Sequence, residues 1–206
     1  MALIITLLTT GALAGALGRL LLGRLRRGAV VRPGWCEVAN ALLWAIIGAA
    51  TNSMPPWWTP VMLALSWFAV LLVTTDLLHS RLPDALTLPA YPVFALLLTI
   101  ASLAGTGPTT LVRATAGAAL FLCLHATVHM LAPNAMGGGD VKLSGTLGAI
   151  LGAVSWLALA AALTLAAVIT LCLRAISANR WRDGIPHGPG LLTATWLLAF
   201  LPTQHP

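Results

Sequence analysis

Apolar residues occur in runs of near-helical membrane length, broken at intervals by short stretches rich in Pro, Gly or charge. The runs cover about 3–22, 38–54, 58–75, 88–104, 111–131, 143–176 and 189–201. Their interruptions include Pro55-Pro56, Pro83, Pro89, the stretch 105–108 and the stretch 133–139. Pro removes a backbone donor and Gly permits sharp turns, so these positions predict connectors. At 1.5 Å rise per residue a helix needs about 20 residues to cross a hydrocarbon core of about 30 Å, and most runs approach that length. The run 143–176 is too long for one ordinary span, and Gly148, Gly152 and Ser155 offer a turn within it. Splitting it there predicts about eight transmembrane helices. The expected fold is an all-α, polytopic membrane helix bundle forming a single domain over 1–206.

Charge fixes the expected orientation. The connectors after the first, third and fifth runs carry Arg24, Arg26, Arg27 and Arg32, then Arg81, then Lys142, whereas those near 52–59 and 105–110 carry none. The stretch 174–187 adds Arg174, Arg180 and Arg182. By the positive-inside rule the charged connectors are cytoplasmic, with Met1 and Pro206 outside and Arg113 as the one basic exception. The first run has its positive charge behind it rather than ahead, the reverse of a secretory signal, and is expected to be a retained span.

Composition agrees with this picture. Of the 206 residues 59% are hydrophobic and 8% charged, against about 25% charged in soluble domains. The net charge of +6 would suggest nucleic acid in a soluble protein, but here the cations are orientation signals, and no nucleic-acid partner is expected. Cys36, Cys123 and Cys172 show no C-x-x-C spacing, so neither a disulfide framework nor a thiolate metal site is expected. Gly11, Gly15 and Gly18 suit close helix packing, and the tryptophans suit interface anchoring or packing.

Acidic groups at membrane depth are costly unless paired, protonated or hydrated, so each is a functional candidate. There are five. Asp183 lies in a polar connector, Glu37 suits a helix start beside Arg32, and Asp84 can begin a helix after Pro83. Asp76 closes the third run and Asp140 opens the sixth helix after Gly137-Gly138-Gly139. The topology puts both at the cytoplasmic border, where they can meet. One protonated and one ionised carboxylate could activate a water and protonate a leaving amide nitrogen. The glycines would let a peptide backbone approach closely. Proton relay and structural pairing remain open on these residues alone.

The segment Thr75-Asp76-Leu77-Leu78-His79-Ser80-Arg81-Leu82-Pro83-Asp84-Ala85-Leu86-Thr87 resembles the first motif of the type IV prepilin peptidases. Met136-Gly137-Gly138-Gly139-Asp140-Val141-Lys142-Leu143, continued by Gly145, Gly148 and Gly152, resembles their second, G-x-G-D-x-K-L. Arg32-Pro33 followed by Glu37, and Ile185-Pro186-His187-Gly188-Pro189, are similar to two further family elements, the first with one extra residue and the second with His187 in place of Phe.

The resemblance implies a bacterial cytoplasmic-membrane aspartyl endopeptidase that removes the leader from type IV prepilin or pseudopilin precursors. Asp76 and Asp140 would be catalytic, and Pro83, Gly137, Gly138, Gly139 and Lys142 would shape the site. No metal or cofactor is implied for cleavage. The implied partners are a prepilin-like substrate and membrane lipid, the substrate's apolar helix docking laterally in the bilayer. Larger members also methylate the new terminus and carry a cytoplasmic loop with two C-x-x-C pairs. Here the first loop spans about 23–36 with one cysteine, so cleavage without methyl transfer is expected. A proton-coupled transporter or channel using the same two acids is the rival reading. His125 and His129 share a helical face but lack the acid of H-E-x-x-H, which favours packing or hydrogen bonding over metal. His79 could tune Asp76, and Lys142 could stabilise ionised Asp140 or snorkel to the interface.

Overall fold

The computed structural model describes residues 1–133, 136–176 and 186–201. Among them are eight α-helices: α1 (Ala2–Arg24), α2 (Trp35–Ala49), α3 (Thr59–His79), α4 (Asp84–Ala101), α5 (Pro108–Leu131), α6 (Gly138–Val154), α7 (Trp156–Ile176) and α8 (Gly188–Phe200). A π-helical turn, Ser102–Thr106, prolongs α4. The chain is therefore the expected all-α membrane bundle. Five of its helices are long and apolar enough to cross a membrane: α1, α3, α4 with its π turn, α5 and α7. The other three are shorter, and at 1.5 Å per residue the 13 residues of α8 reach only about 20 Å.

Two junctions depart from the sequence expectation. The long run divides at a single residue, Ser155, whose extended backbone (φ −171°, ψ 162°) separates α6 from α7. Its hydroxyl accepts the Ala158 N–H at 3.0 Å and so caps α7. Gly148 and Gly152 do not turn the chain. They lie inside α6 and form its contact with α5: a Cβ on Gly148 would sit 2.5 Å from Phe121 Cβ, and one on Gly117 2.9 Å from Gly152 Cα. The second departure is Pro89, which does not mark a connector. It and Pro92 lie inside α4, which begins at Asp84, directly after Pro83 in extended conformation. Tyr91 Oη donating to Lys142 O at 2.6 Å ties this proline-bearing stretch to α6.

Helices consecutive in the chain alternate in direction. Trp58 Nε1 donates to Ala199 O at 2.9 Å, Trp196 Nε1 to Ser66 Oγ at 2.8 Å, and the Gly188 N–H to Asp76, so α3 and α8 run antiparallel. Gly11 meets Ala41 and Gly15 meets Glu37 across α1 and α2, and Asn40 Nδ2 donates to Gly11 O at 2.8 Å. The expected use of these glycines is thus what the packing shows. Buried Trp58 and Trp196, with half-buried Trp67 bonded to Ala14 O, stitch helices together, whereas Trp156 is exposed. The C-terminal ends of α1, α3 and α5 and the N-terminal ends of α2, α4, α6 and α8 share one end of the bundle, where Arg27, Arg81 and Lys142 also lie.

Arg113, the expected outer exception, donates from Nη2 to Ala153 O at 3.1 Å and satisfies a carbonyl at the end of α6. The expected loops around Asn134 and Arg182, and Pro206, lie outside the described residues. If charge sets orientation as argued, Arg81→Cys and Arg27→Cys are labelled by a membrane-impermeant thiol reagent only from the cytoplasmic side. Labelling of Arg81→Cys from outside would overturn that topology.

Candidate active site

The fourth residue from the end of α3 is Asp76, and the third residue of α6 is Asp140. Remote in sequence, they come together because α3 ends and α6 begins at the same end of the bundle. Both line a cavity of about 350 Å³ together with Arg27, Ser80, Arg81, Leu82, Asp84, Lys142 and Gly137, Gly138 and Gly139. Asp76 is 4% exposed and Asp140 7%. Two carboxylates at membrane depth that face one cavity are costly as architecture alone, and such groups mark functional sites.

Their hydrogen bonding differs. Oδ2 of Asp76 accepts the backbone N–H of Gly188, the first residue of α8, at 3.1 Å. Its neighbours Thr74 and Thr75 spend their hydroxyls on Val70 O and Leu71 O in their own helix. Oδ1 of Asp140 is buried and has no hydrogen-bond partner among the described residues. A buried, unpaired carboxylate oxygen calls for an explanation, and an incoming polar group supplies one.

The turn after Asp76 is built to close on the site. Ser80 takes the left-handed conformation (φ 48°), and its N–H caps Asp76 O at 2.7 Å. Pro83 then sends the chain into α4, and Leu82 between them folds inward. A Cβ on Gly139 would lie 2.9 Å from Leu82 Cβ, and one on Gly188 2.7 Å from Asp76 Oδ2. Leu82 thus packs against the starts of both α6 and α8. Gly138 has open space where a Cβ would stand, so packing of this structure does not require it to be glycine.

Several sequence expectations change here. Lys142 does not bond Asp140: Nζ pairs with Asp84 Oδ1 at 2.8 Å, at the exposed rim of the cavity. Asp84 begins α4 as expected, with this partner in addition. Glu37 pairs with Arg19 at 2.7 Å rather than with Arg32, while its other oxygen accepts the Gly34 N–H at 2.9 Å. His125 and His129 each engage a backbone carbonyl, of Phe121 and Met136, through Nδ1 at 2.8 Å. Among the described residues no three His, Cys, Asp or Glu side chains gather into a metal site. Leu82, Arg27 and Gly188 belong to the site although sequence reasoning does not single them out. For Leu82 and Gly188 a signal exists, since both fall inside the quoted motifs. Arg27 carries none beyond its charge.

The Asp84–Lys142 pair is exposed, and such pairs contribute about 0–1 kcal/mol. Asp84→Asn is therefore expected to leave stability and cleavage within a few-fold of the wild type, as measured by thermal unfolding and by turnover of a pilin-like precursor.

The sequence profile described as the type IV leader peptidase family matches residues 62–174, more than half of the chain and the stretch that holds both aspartates. The chain belongs to that family. It is similar to two proteins named prepilin leader peptidase/N-methyltransferase, from Aeromonas salmonicida (strain A449) and Aeromonas hydrophila, at 32% identity over 166 residues in each case. These matches cover 78% of this chain and 55% of each relative; the chain spans about half the length of the curated relatives it matches. No solved structure gives a significant match. Nothing in the family or the fold supports the transporter reading.

Proposed function

We propose that this family member is an aspartyl endopeptidase of the bacterial cytoplasmic membrane that cuts leader peptides from prepilin-like precursors. The observation that carries this reading is the shared cavity of Asp76 and Asp140, one from each family motif, at the charged end of the bundle. One carboxylate takes a proton from water as the water oxygen attacks the scissile carbonyl. The other, protonated beforehand, gives its proton to the leaving amide nitrogen. Both reset by exchange with solvent through the open cavity. Gly138 leaves space for the substrate backbone beside Asp140.

Cleavage by this chemistry needs no metal or methyl donor. The connector between α1 and α2 runs only from 25 to 34, which leaves no room there for a cysteine-bearing domain. Incubation of the purified full-length chain with a pilin-like precursor, S-adenosylmethionine and a chelator should yield one shortened, unmethylated product. Loss of cutting on chelation, or a methylated new terminus, would contradict this reading.

A further inference from the structure

A second feature lies on another face of α3, below the connector whose Arg27 lines the aspartate cavity and whose Arg32 does not. The connector between α1 and α2 carries Arg26, Arg27 and Arg32, next to Arg24 at the end of α1, and no acid. Four Arg residues immediately cytoplasmic of a span form the kind of cluster that binds anionic lipid. This connector is also unusually apolar in what it exposes: Val30 is 91% exposed and Trp35, at the start of α2, 62%.

Beside them are two cavities. One, of about 540 Å³, is lined by Val30, Val31, Arg32, Trp35, Thr74 and Leu77 together with Leu78. The other, of about 200 Å³, continues between α2 and α8 over α3, past Ala39, Val73 and Trp196. Trp35 and Thr74 line both, so the two form one groove. From Trp35 to Leu43 it descends about 12 Å along α2 at 1.5 Å per residue. Arg32 at the mouth pairs with no carboxylate among the described residues, since Glu37 is taken by Arg19.

We infer that this groove is a binding site for an anionic phospholipid of the cytoplasmic leaflet. The Arg32 guanidinium holds the headgroup phosphate, for which its planar fork of donors is suited. Trp35 stands at headgroup level, where amphipathic rings concentrate, and an acyl chain follows the apolar groove between α2 and α8. Charge selects this occupant: a zwitterionic lipid or an apolar helix would fill the groove without answering the cluster of arginines. The inference does not depend on the peptidase reading.

The test uses the detergent-purified full-length chain with phosphatidylglycerol or phosphatidylcholine of identical acyl chains, read by native mass spectrometry and thermal shift. Phosphatidylglycerol should bind and stabilise more strongly than phosphatidylcholine. Arg32→Gln should weaken phosphatidylglycerol about fivefold, the scale of one Arg beside an anionic surface, and Arg32→Lys should weaken it less. Arg26→Gln removes the same charge outside the groove and should weaken phosphatidylglycerol less than Arg32→Gln does. Ala39→Trp, which fills the groove, should displace both lipids and provides a second reading should Arg32→Gln not fold. Equal binding of the two lipids, equal losses in Arg26→Gln and Arg32→Gln, or stabilisation by inorganic phosphate alone as large as by lipid would overturn the inference. A dimer that Ala39→Trp dissociates irrespective of lipid would overturn it too, by assigning the groove to a second copy.

Discussion

Asp76→Asn and Asp140→Asn should each abolish cleavage, by at least the hundredfold that a positioned acid or base contributes, while leaving the protein inserted and folded. The amide keeps the shape of the carboxylate, so Leu82 and the starts of α6 and α8 have no reason to move. In Asp76→Asn the side-chain carbonyl oxygen can still accept the Gly188 N–H. At Asp140 the substitution removes an ionisable group whose Oδ1 has no partner among the described residues, and a neutral group is cheaper to bury there. Neither amide can take a proton from water or release one to a leaving nitrogen. The measurement is turnover of a pilin-like precursor beside thermal unfolding of the same preparations. Normal turnover by either variant would remove the basis for the aspartyl mechanism.

The second large effect is expected at Gly188, far from both motif aspartates in sequence. Its Cβ would stand 2.7 Å from Asp76 Oδ2, closer than atoms tolerate. The carboxylate is the free end of a side chain, so it yields before the helix does. Gly188→Ala should therefore fold, since Ala at the first helical position carries no propensity cost. With Asp76 rotated away from its N–H donor the site is mis-set, and displacement of about 1 Å lowers rates about a hundredfold. Cleavage is expected to fall on that scale with thermal stability nearly unchanged. Wild-type activity in Gly188→Ala would mean that the Gly188 contact does not hold Asp76 for the reaction.

The aspartates and Gly188 also mark how far the sequence could be read. Asp76 and Asp140 were legible because an acid at the end of an apolar run is rare and because charge counting put both at one membrane face. The helix number was legible from the spacing of apolar runs. Partner choice was not, because it depends on how helices rotate about their axes. Lys142 lies two residues from Asp140 yet reaches Asp84 across the gap to α4, and Glu37 finds Arg19 because α1 and α2 pack closely through Gly11 and Gly15. Pro89 misled as a breaker. As the sixth residue of α4, Pro89 is past the first turn and forgoes the bond to Ala85 O, a loss that neighbouring membrane helices can compensate. Gly188 falls inside a quoted motif, but its contact with Asp76 follows only from the packing of α8 against the end of α3.

In the proposed mechanism Asp76 and Asp140 work in opposite protonation states within one cavity. Its most direct test is kcat/KM for precursor cleavage across the pH range in which the protein stays folded. The rate is expected to rise and then fall, as the pair passes from doubly protonated, with no base, to doubly ionised, with no acid; the two apparent pKa values belong to the pair. A rate that climbs to a plateau and holds it through alkaline pH would contradict this mechanism.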